Sequence, residues 1–268
     1  MKKVLIDLSV LKHINCGLGQ IAYNYARFYG ENAKNLDFEV HLLVPRPYIG
    51  AFGNDVHYHK TTNLYTMFPF LMPEYDVWHS IQQMSRFKPS RKYTKNVLTV
   101  HDINFIYEKK GQSLKKYTRK FLNRLNRADR VFCISNFTKT DVLSHFTTDK
   151  TLDVIYNGVE FGDTASAKKP VLPFADDKPF IFSIGQIRQK KNFHVLLDVM
   201  KMMPEYQLVI AGEKGTAYSD MMEQRIANEG IDNVHMIGTV HNSEKIWLYN
   251  NCQAFVFPSL FEGVGLPV

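Results

Sequence analysis

Short apolar runs, each followed by a helical pattern, recur along this chain, and that alternation constrains the fold more than any other feature. "KVLIDLSV" (3–10) precedes "LGQIAYNYARFYGEN" (18–32), "NVLTVHD" (96–102) precedes a basic helix at 113–127, and "RVFCIS" (130–135) precedes "NFTKTDVLSHF" (136–146). The series then repeats: "FIFSIG" (180–185) before 192–203, "YQLVIAG" (206–212) before 217–229, "VHMIG" (234–238) before 243–250, and "CQAFVFPS" (252–259) last. Strands alternating with helices pair in parallel and are covered by helices on both faces, so the expected class is α/β. Between the two series lies "NGVEFGDTASAKKPVLPFADDKPF" (157–180), rich in Gly, Pro, Ser, Ala and charge, which reads as a linker. The expected division is a Rossmann-like domain at 1–165, a linker at 166–179 and a second Rossmann-like domain at 180–268. The second series shows four strands where the mononucleotide-binding sheet has six, so that domain is expected to be incomplete.

Composition narrows the class of partner. With 45% hydrophobic and 22% charged residues in 268, the chain has ordinary globular usage and can bury a sizeable core. The formal charge of +7 favours acidic partners: nucleic acid, anionic membrane or phosphorylated small molecules. No aromatic stacking motif or helix-turn-helix accompanies that charge, so nucleic acid is not expected. Cys16, Cys133 and Cys252 have no close spacing, which gives no zinc or disulfide framework and fits a reducing cytosol. The apolar run at the N-terminus is short and contains Asp7, unlike a signal peptide, and no window reaches the length of a membrane span.

Open parallel sheets bind ligands at the carboxyl ends of their strands, which directs attention to the loops there. Gly17 and Gly19 in "NCGLGQ" stand before a helix, where backbone amides can approach a phosphate; a tight strand-to-helix turn explains them equally well. His101-Asp102 ends a strand, and a carboxylate-backed imidazole there can hydrogen-bond a substrate hydroxyl, although such pairs are more often structural. Ser135 reads as the N-cap of the helix at 136–146. In "FSIGQIRQKKN", Arg188, Lys190 and Lys191 follow a strand end and precede a helix, an arrangement suited to a diphosphate; the bland reading is a solvated basic loop. Gly212 or Gly215 could shape a pocket wall after the next strand, and Gly212 is a candidate for nucleobase binding. Thr239 and Val240 follow the third, where exposed backbone could pair a nucleobase edge. Glu262, ahead of Gly263-Val264-Gly265, can accept hydrogen bonds from sugar hydroxyls while the amides donate. Two further features stay open: a basic helix with an apolar stripe at 109–127, which could touch anionic lipid headgroups, and the apolar segment "LYTMFPFLMP" (64–73), which could be core or an exposed docking loop.

Taken in order, "CGLGQIAYN", "TVHDINF", "CISNFTKTDV", "VIYNGV", "SIGQIRQKKN" and "PSLFEGVGLPV" resemble the motifs of a GT-B fold glycosyltransferase of family 4 (group 1). That resemblance implies two Rossmann-like domains facing a cleft and a retaining transfer of an activated sugar. The donor it implies is a nucleotide-diphosphate sugar and the acceptor a saccharide or a lipid-linked acceptor. It places Gly17 and Gly19 near the donor diphosphate, His101 against the donor sugar in a catalytic role, and Lys191 on the diphosphate. Glu262, the second residue it implies for catalysis, would hold the sugar together with Gly263, Val264 and Gly265. Many members carry Arg directly after the strand-end glycine; here that residue is Gln186, leaving Arg188 or Lys190 to substitute. No metal and no cofactor are expected, because cations and helix dipoles would neutralise the leaving group. The family's second motif Glu would fall two positions past Val268, so the chain reads as roughly the first three quarters of such an enzyme. The setting implied is cell-envelope or capsule polysaccharide synthesis in the cytoplasm, with peripheral contact at the inner membrane face. The competing reading is a nucleotide-sugar binding fragment without turnover.

Overall fold

The structure is a computed structural model that describes residues 1–14, 16–89, 93–158 and 164–265. It divides into two compact units, 1–157 and 158–268. Of the segment read as linker, Leu172 and Phe174 pack on the core of the second unit and the Lys168 amide donates to the Ser243 carbonyl, so much of it belongs to that unit's surface.

The first unit is built on strands β1 (Lys2–Asp7), β2 (Phe38–Val44), β3 (His57–Lys60), β4 (Val77–Ser80), β5 (Lys95–Val100), β6 (Arg130–Cys133) and β7 (Leu152–Val154). All are parallel, in the order β3-β2-β1-β4-β5-β6-β7. Its helices are α1 (Gly17–Asn32), the short α2 (Asn63–Met67) and α3 (Phe105–Glu108), then α4 (Gly111–Arg127) and α5 (Asn136–His145). Ala22 and Ala26 are fully buried on α1, small enough to let the helix settle on Ile6, Leu42 and Val44 of the sheet. On α4, Phe121 and Leu125 bury against Leu98, Val100 and Val131, as its apolar stripe leads one to expect.

The second unit has strands β8 (Phe180–Ile184), β9 (Gln207–Ala211), β10 (Val234–Gly238) and β11 (Ala254–Phe255), again parallel, in the order β10-β9-β8-β11. Helices α6 (His194–Lys201), α7 (Ala217–Asn228) and α8 (Asn242–Asn251) connect them. Phe182, Val209 and Leu248 fill one face of this sheet; Phe193, Leu197, Leu208 and Ile210 fill the other. The chain therefore has the expected α/β class. In each sheet the order runs outward from the first strand and then reverses, which creates a crevice where the direction changes.

The apolar segment at 64–73 leaves Met67 and Phe70 well exposed while Met72 is buried, so it contributes to both surface and core.

Candidate functional site

The reversal in the second sheet lies between β8 and β11. The loop after β8 leaves Ile184, turns through a 3₁₀ turn at Gln189–Lys191 and enters α6. Asn192 adopts the left-handed conformation (φ 58°), which Asn tolerates, and this ends the turn. The loop after β11 runs back over it, and the Leu260 amide donates to the Lys190 carbonyl at 2.9 Å. That contact brings Lys191 Nζ within 2.5 Å of Glu262 Oε1. The ammonium also sits 4.5 Å above the centre of the Phe257 ring. The Lys191 side chain is only 12% exposed and that of Glu262 26%. Burial draws the Lys191 pKa down from its usual value, and the hydrogen bond and charge of Glu262 oppose that pull.

The neighbouring strand ends are tied into the same edge. Gly185 N–H donates to Ala211 O at 3.0 Å and Gly212 N–H to Gly238 O at 2.7 Å. A Cβ on Gly212 would stand 1.9 Å from the Gly185 carbonyl oxygen, so only glycine fits there. This gives Gly212 a packing reason beside its expected nucleobase role. Thr216 caps α7 and donates its hydroxyl to Ile187 O at 2.8 Å, which fixes the basic loop to the α7 N-terminus. Arg188 is exposed; Val264 is 39% exposed, and Gly263 and Gly265 flank it. Thr239 is exposed after β10, whereas Val240 packs on the Phe180 and Phe182 core. Lys191, Glu262 and the glycine loop thus share one crevice, with Gly212 and Thr239 on strand ends of the same edge.

In the first unit the reversal lies between β1 and β4. A Cβ on Gly19 would meet the His13 carbonyl oxygen at 2.1 Å, whereas nothing lies within 4 Å of one on Gly17. Gly19 is therefore required by the close approach of α1 to the turn before it, and Gly17 leaves open space. His101 is buried, and its Nε2 lies 2.8 Å from the Ile81 carbonyl. A carbonyl only accepts, so Nε2 carries the proton and Nδ1 keeps the lone pair. Burial holds the His101 pKa below its usual value. Gln83 orients this segment: its side-chain oxygen accepts from the His101 amide at 3.1 Å and its amide group donates to Asp102 O at 2.7 Å. Asp102 itself accepts from the Asn104 amide. Ser135 caps α5, accepting from the Thr138 amide at 3.0 Å, and the Thr138 hydroxyl donates to His101 O.

Sequence reasoning passed over Asp7. It is fully buried at the end of β1, accepts from the Ser9 amide at 3.1 Å and from the Ser85 hydroxyl after β4, and so spans the reversal. Burial raises its pKa, opposed by those hydrogen bonds and by the Arg124 charge. Arg124 and Lys120 of α4 donate to the carbonyls of Ser85 (2.5 Å) and Met84 (2.8 Å). Two cations of the basic helix are therefore committed to holding this crevice, while Lys115, Lys116 and Arg119 remain exposed. No helix of the described residues is long and apolar enough to cross a membrane.

Residues 165–268 match the family described as "Glycosyl transferases group 1", and residues 23–162 match "Glycosyltransferase Family 4". The chain is 26% identical over 193 residues to the serotype-specific mannosyltransferase WbdA of Escherichia coli, covering 65% of this chain and 23% of WbdA. It is 28% identical over 174 residues to the O-antigen chain mannosyltransferase RfbU of Salmonella typhimurium, covering 63% of this chain and 47% of RfbU. The chain thus spans less than half the length of these curated relatives. Its fold is similar to that of sucrose-phosphate synthase from Thermosynechococcus elongatus, with a TM-score of 0.69 at 16% identity, covering 100% of this chain and 78% of that one. The Family 4 match covers just over half of the chain, and with the two parallel sheets it leads to one conclusion: this protein belongs to Glycosyltransferase Family 4 and has the GT-B fold.

Proposed function

We propose that this chain carries the donor site of a retaining glycosyltransferase that moves a manno-configured sugar from a nucleotide-diphosphate sugar to a saccharide or lipid-linked acceptor in cell-surface polysaccharide synthesis. The observation that carries the reading is the Lys191–Glu262 pair at the strand-order reversal of the second sheet. The sugar type is supported by the mannosyltransferases among the relatives.

Lys191 has three N–H donors and Glu262 occupies one. On donor binding the ammonium turns to the diphosphate, and Glu262 accepts from the sugar hydroxyls that replace it. The C1–O bond to the diphosphate breaks as the acceptor oxygen bonds to C1 from the same face. The acceptor proton leaves on the departing diphosphate. Lys191, with Arg188 or Lys190 in place of the arginine common in the family, stabilises the growing charge, and the α6 N-terminus adds amide donors. Those cations make a divalent ion at the diphosphate unnecessary, so added Mg²⁺ leaves donor affinity unchanged. His101 contributes hydroxyl recognition through Nδ1. Gly17 supplies backbone near the diphosphate. Thr239, with the backbone of Val240, faces the base. Lys115, Lys116 and Arg119 hold the protein at an anionic membrane face.

The test is incubation with GDP-α-mannose and a mannoside acceptor, with product read by NMR. Transfer giving an α-mannoside supports the reading. Donor binding without transfer supports the alternative of a binding-only polypeptide, and absence of both contradicts the donor site itself.

A further inference from the structure

We propose that Glu39, His41 and His57 form a binding site for a divalent cation of the zinc class at the outer edge of the first sheet. β2 and β3 pair in parallel with His41 opposite His57 and Leu43 opposite His59. Alternate residues of a strand share a face, so Glu39 and His41 of β2 and His57 and His59 of β3 stand on one side of the sheet. Inward along the same face lie Leu5, Leu43, Tyr75 and Trp78, which gives the cluster a dry floor.

Ligand atoms of Glu39, His41 and His57 all lie within 4.8 Å of one another. Metal bonds of about 2.0–2.2 Å in a tetrahedron separate ligand atoms by roughly 3.4 Å. His41 Nε2 and Glu39 Oε2 already stand 3.5 Å apart. His57 is exposed and stacks on His41 with ring centres 4.6 Å apart, so a small rotation closes the remaining gap and an entry path exists.

A second observation concerns the state of that buried nitrogen. His41 is 8% exposed, and its Nε2 makes no full hydrogen bond among the described residues, the acceptor that faces it being Glu39 Oε2 at 3.5 Å. A buried polar nitrogen left so is costly unless something meets it. The other ring nitrogen is held as a metal-binding imidazole requires. His41 Nδ1 lies 3.0 Å from His59 Nε2, which the Tyr75 hydroxyl approaches at 3.2 Å. With Nε2 on the cation, Nδ1 carries the proton and donates it to His59, the outer partner that sets tautomer and orientation. Two imidazoles and one carboxylate leave the fourth position to water, a donor set suited to Zn²⁺ or its neighbours rather than to Mg²⁺ or Ca²⁺. Lys3, opposite Glu39 on β1, is the nearby cation and is exposed. The cation would tie the edge strand β3 to β2. This inference does not depend on the transferase reading.

The test uses the untagged full chain, stripped of metal. Titration with Co²⁺ and Zn²⁺ is expected to show one equivalent bound, with visible Co²⁺ bands that Zn²⁺ displaces. His57→Ala and Glu39→Gln each weaken Zn²⁺ binding at least tenfold, and His59→Ala weakens it roughly tenfold through the outer partner. His145→Ala, distant in sequence, leaves it unchanged. Zinc-edge X-ray absorption of the wild-type chain should report two imidazoles, which keeps the proposal testable if a variant fails to fold. No stoichiometric binding, or equal binding by the wild type, His57→Ala and Glu39→Gln, overturns it.

Discussion

Lys191 and Glu262 are 71 positions apart in the chain and meet at 2.5 Å, because β8 and β11 are neighbours in the sheet although they are not consecutive in sequence. The pair is mostly buried, so the attraction between the two charges offsets part of the desolvation cost that each carries. Glu262→Gln should leave the Lys191 ammonium poorly compensated and lower stability by about 1–3 kcal/mol. Adding Lys191→Met to that variant should recover part of the loss, since the charge itself is then gone. Urea denaturation of both single variants and the double variant checks this; strict additivity would show that the contact carries no coupling.

Gly17 and Gly19 differ in what an added side chain would meet. Gly19→Ala places a Cβ against the His13 carbonyl oxygen and should cost about 1–3 kcal/mol by overpacking. Gly17→Ala meets open space and should change stability by under about 1 kcal/mol, while weakening donor turnover if backbone near the diphosphate matters. Equal destabilisation by the two would contradict the geometry.

His79 predicts an acid-sensitive component of stability in the first unit. Burial, and then the nearby His101 charge, pull its pKa down to about 4. Its Nε2 faces the Thr99 hydroxyl at 2.9 Å, and the ring lines a cavity of about 240 Å³ beneath α1. The folded value is below the unfolded one, so the unfolded chain binds the extra proton between pH 4 and 6.5. The contribution is complete above the unfolded pKa and is lost as pH falls toward 4. Between pH 7 and pH 5 the loss is about 2 kcal/mol. His79→Gln should flatten that part of the profile, measured as the difference in urea midpoint between the two pH values.

Much of this fold is legible in the sequence because most of its strands are apolar runs that lead into helices. β1, β5, β6 and β8 to β10 show themselves in that way, as do α1 and α4 to α8. β3 (His57–Lys60, HYHK) and β4 (Val77–Ser80, VWHS) do not: they are four residues long, at least half polar, and held by lateral pairing to β2, β1 and β5. The candidate residues Lys191 and Glu262 are visible one at a time as a cation before a helix and a carboxylate before glycines. Their contact is not, since it depends on which strand returns beside β8. Asp7 hides for a related reason. It reads as one polar residue in an apolar run until β4 brings Ser85 beside it.

The basic helix α4 divides into cations that hold the fold and cations that do not. Lys120 and Arg124 are engaged with the carbonyls of Met84 and Ser85, so their loss should destabilise the first unit. Replacing exposed Lys115, Lys116 and Arg119 by Gln should leave stability within about 0.5 kcal/mol. The same change should weaken co-sedimentation with phosphatidylserine vesicles by roughly a hundredfold, at about 1 kcal/mol per charge. Unchanged vesicle binding by the triple variant would remove this helix from any membrane role.

The proposed function rests on the β8–β11 crevice binding a nucleotide-diphosphate sugar through Lys191. Isothermal titration of the wild type and of Lys191→Met against GDP-, UDP-, ADP- and dTDP-sugars tests it most directly. At least one donor should bind the wild type, GDP-mannose foremost, and Lys191→Met should weaken that donor by roughly 10–100-fold, the loss of one charge-assisted contact to the diphosphate. A donor that binds both proteins equally, or no donor binding to the folded wild type, would contradict it.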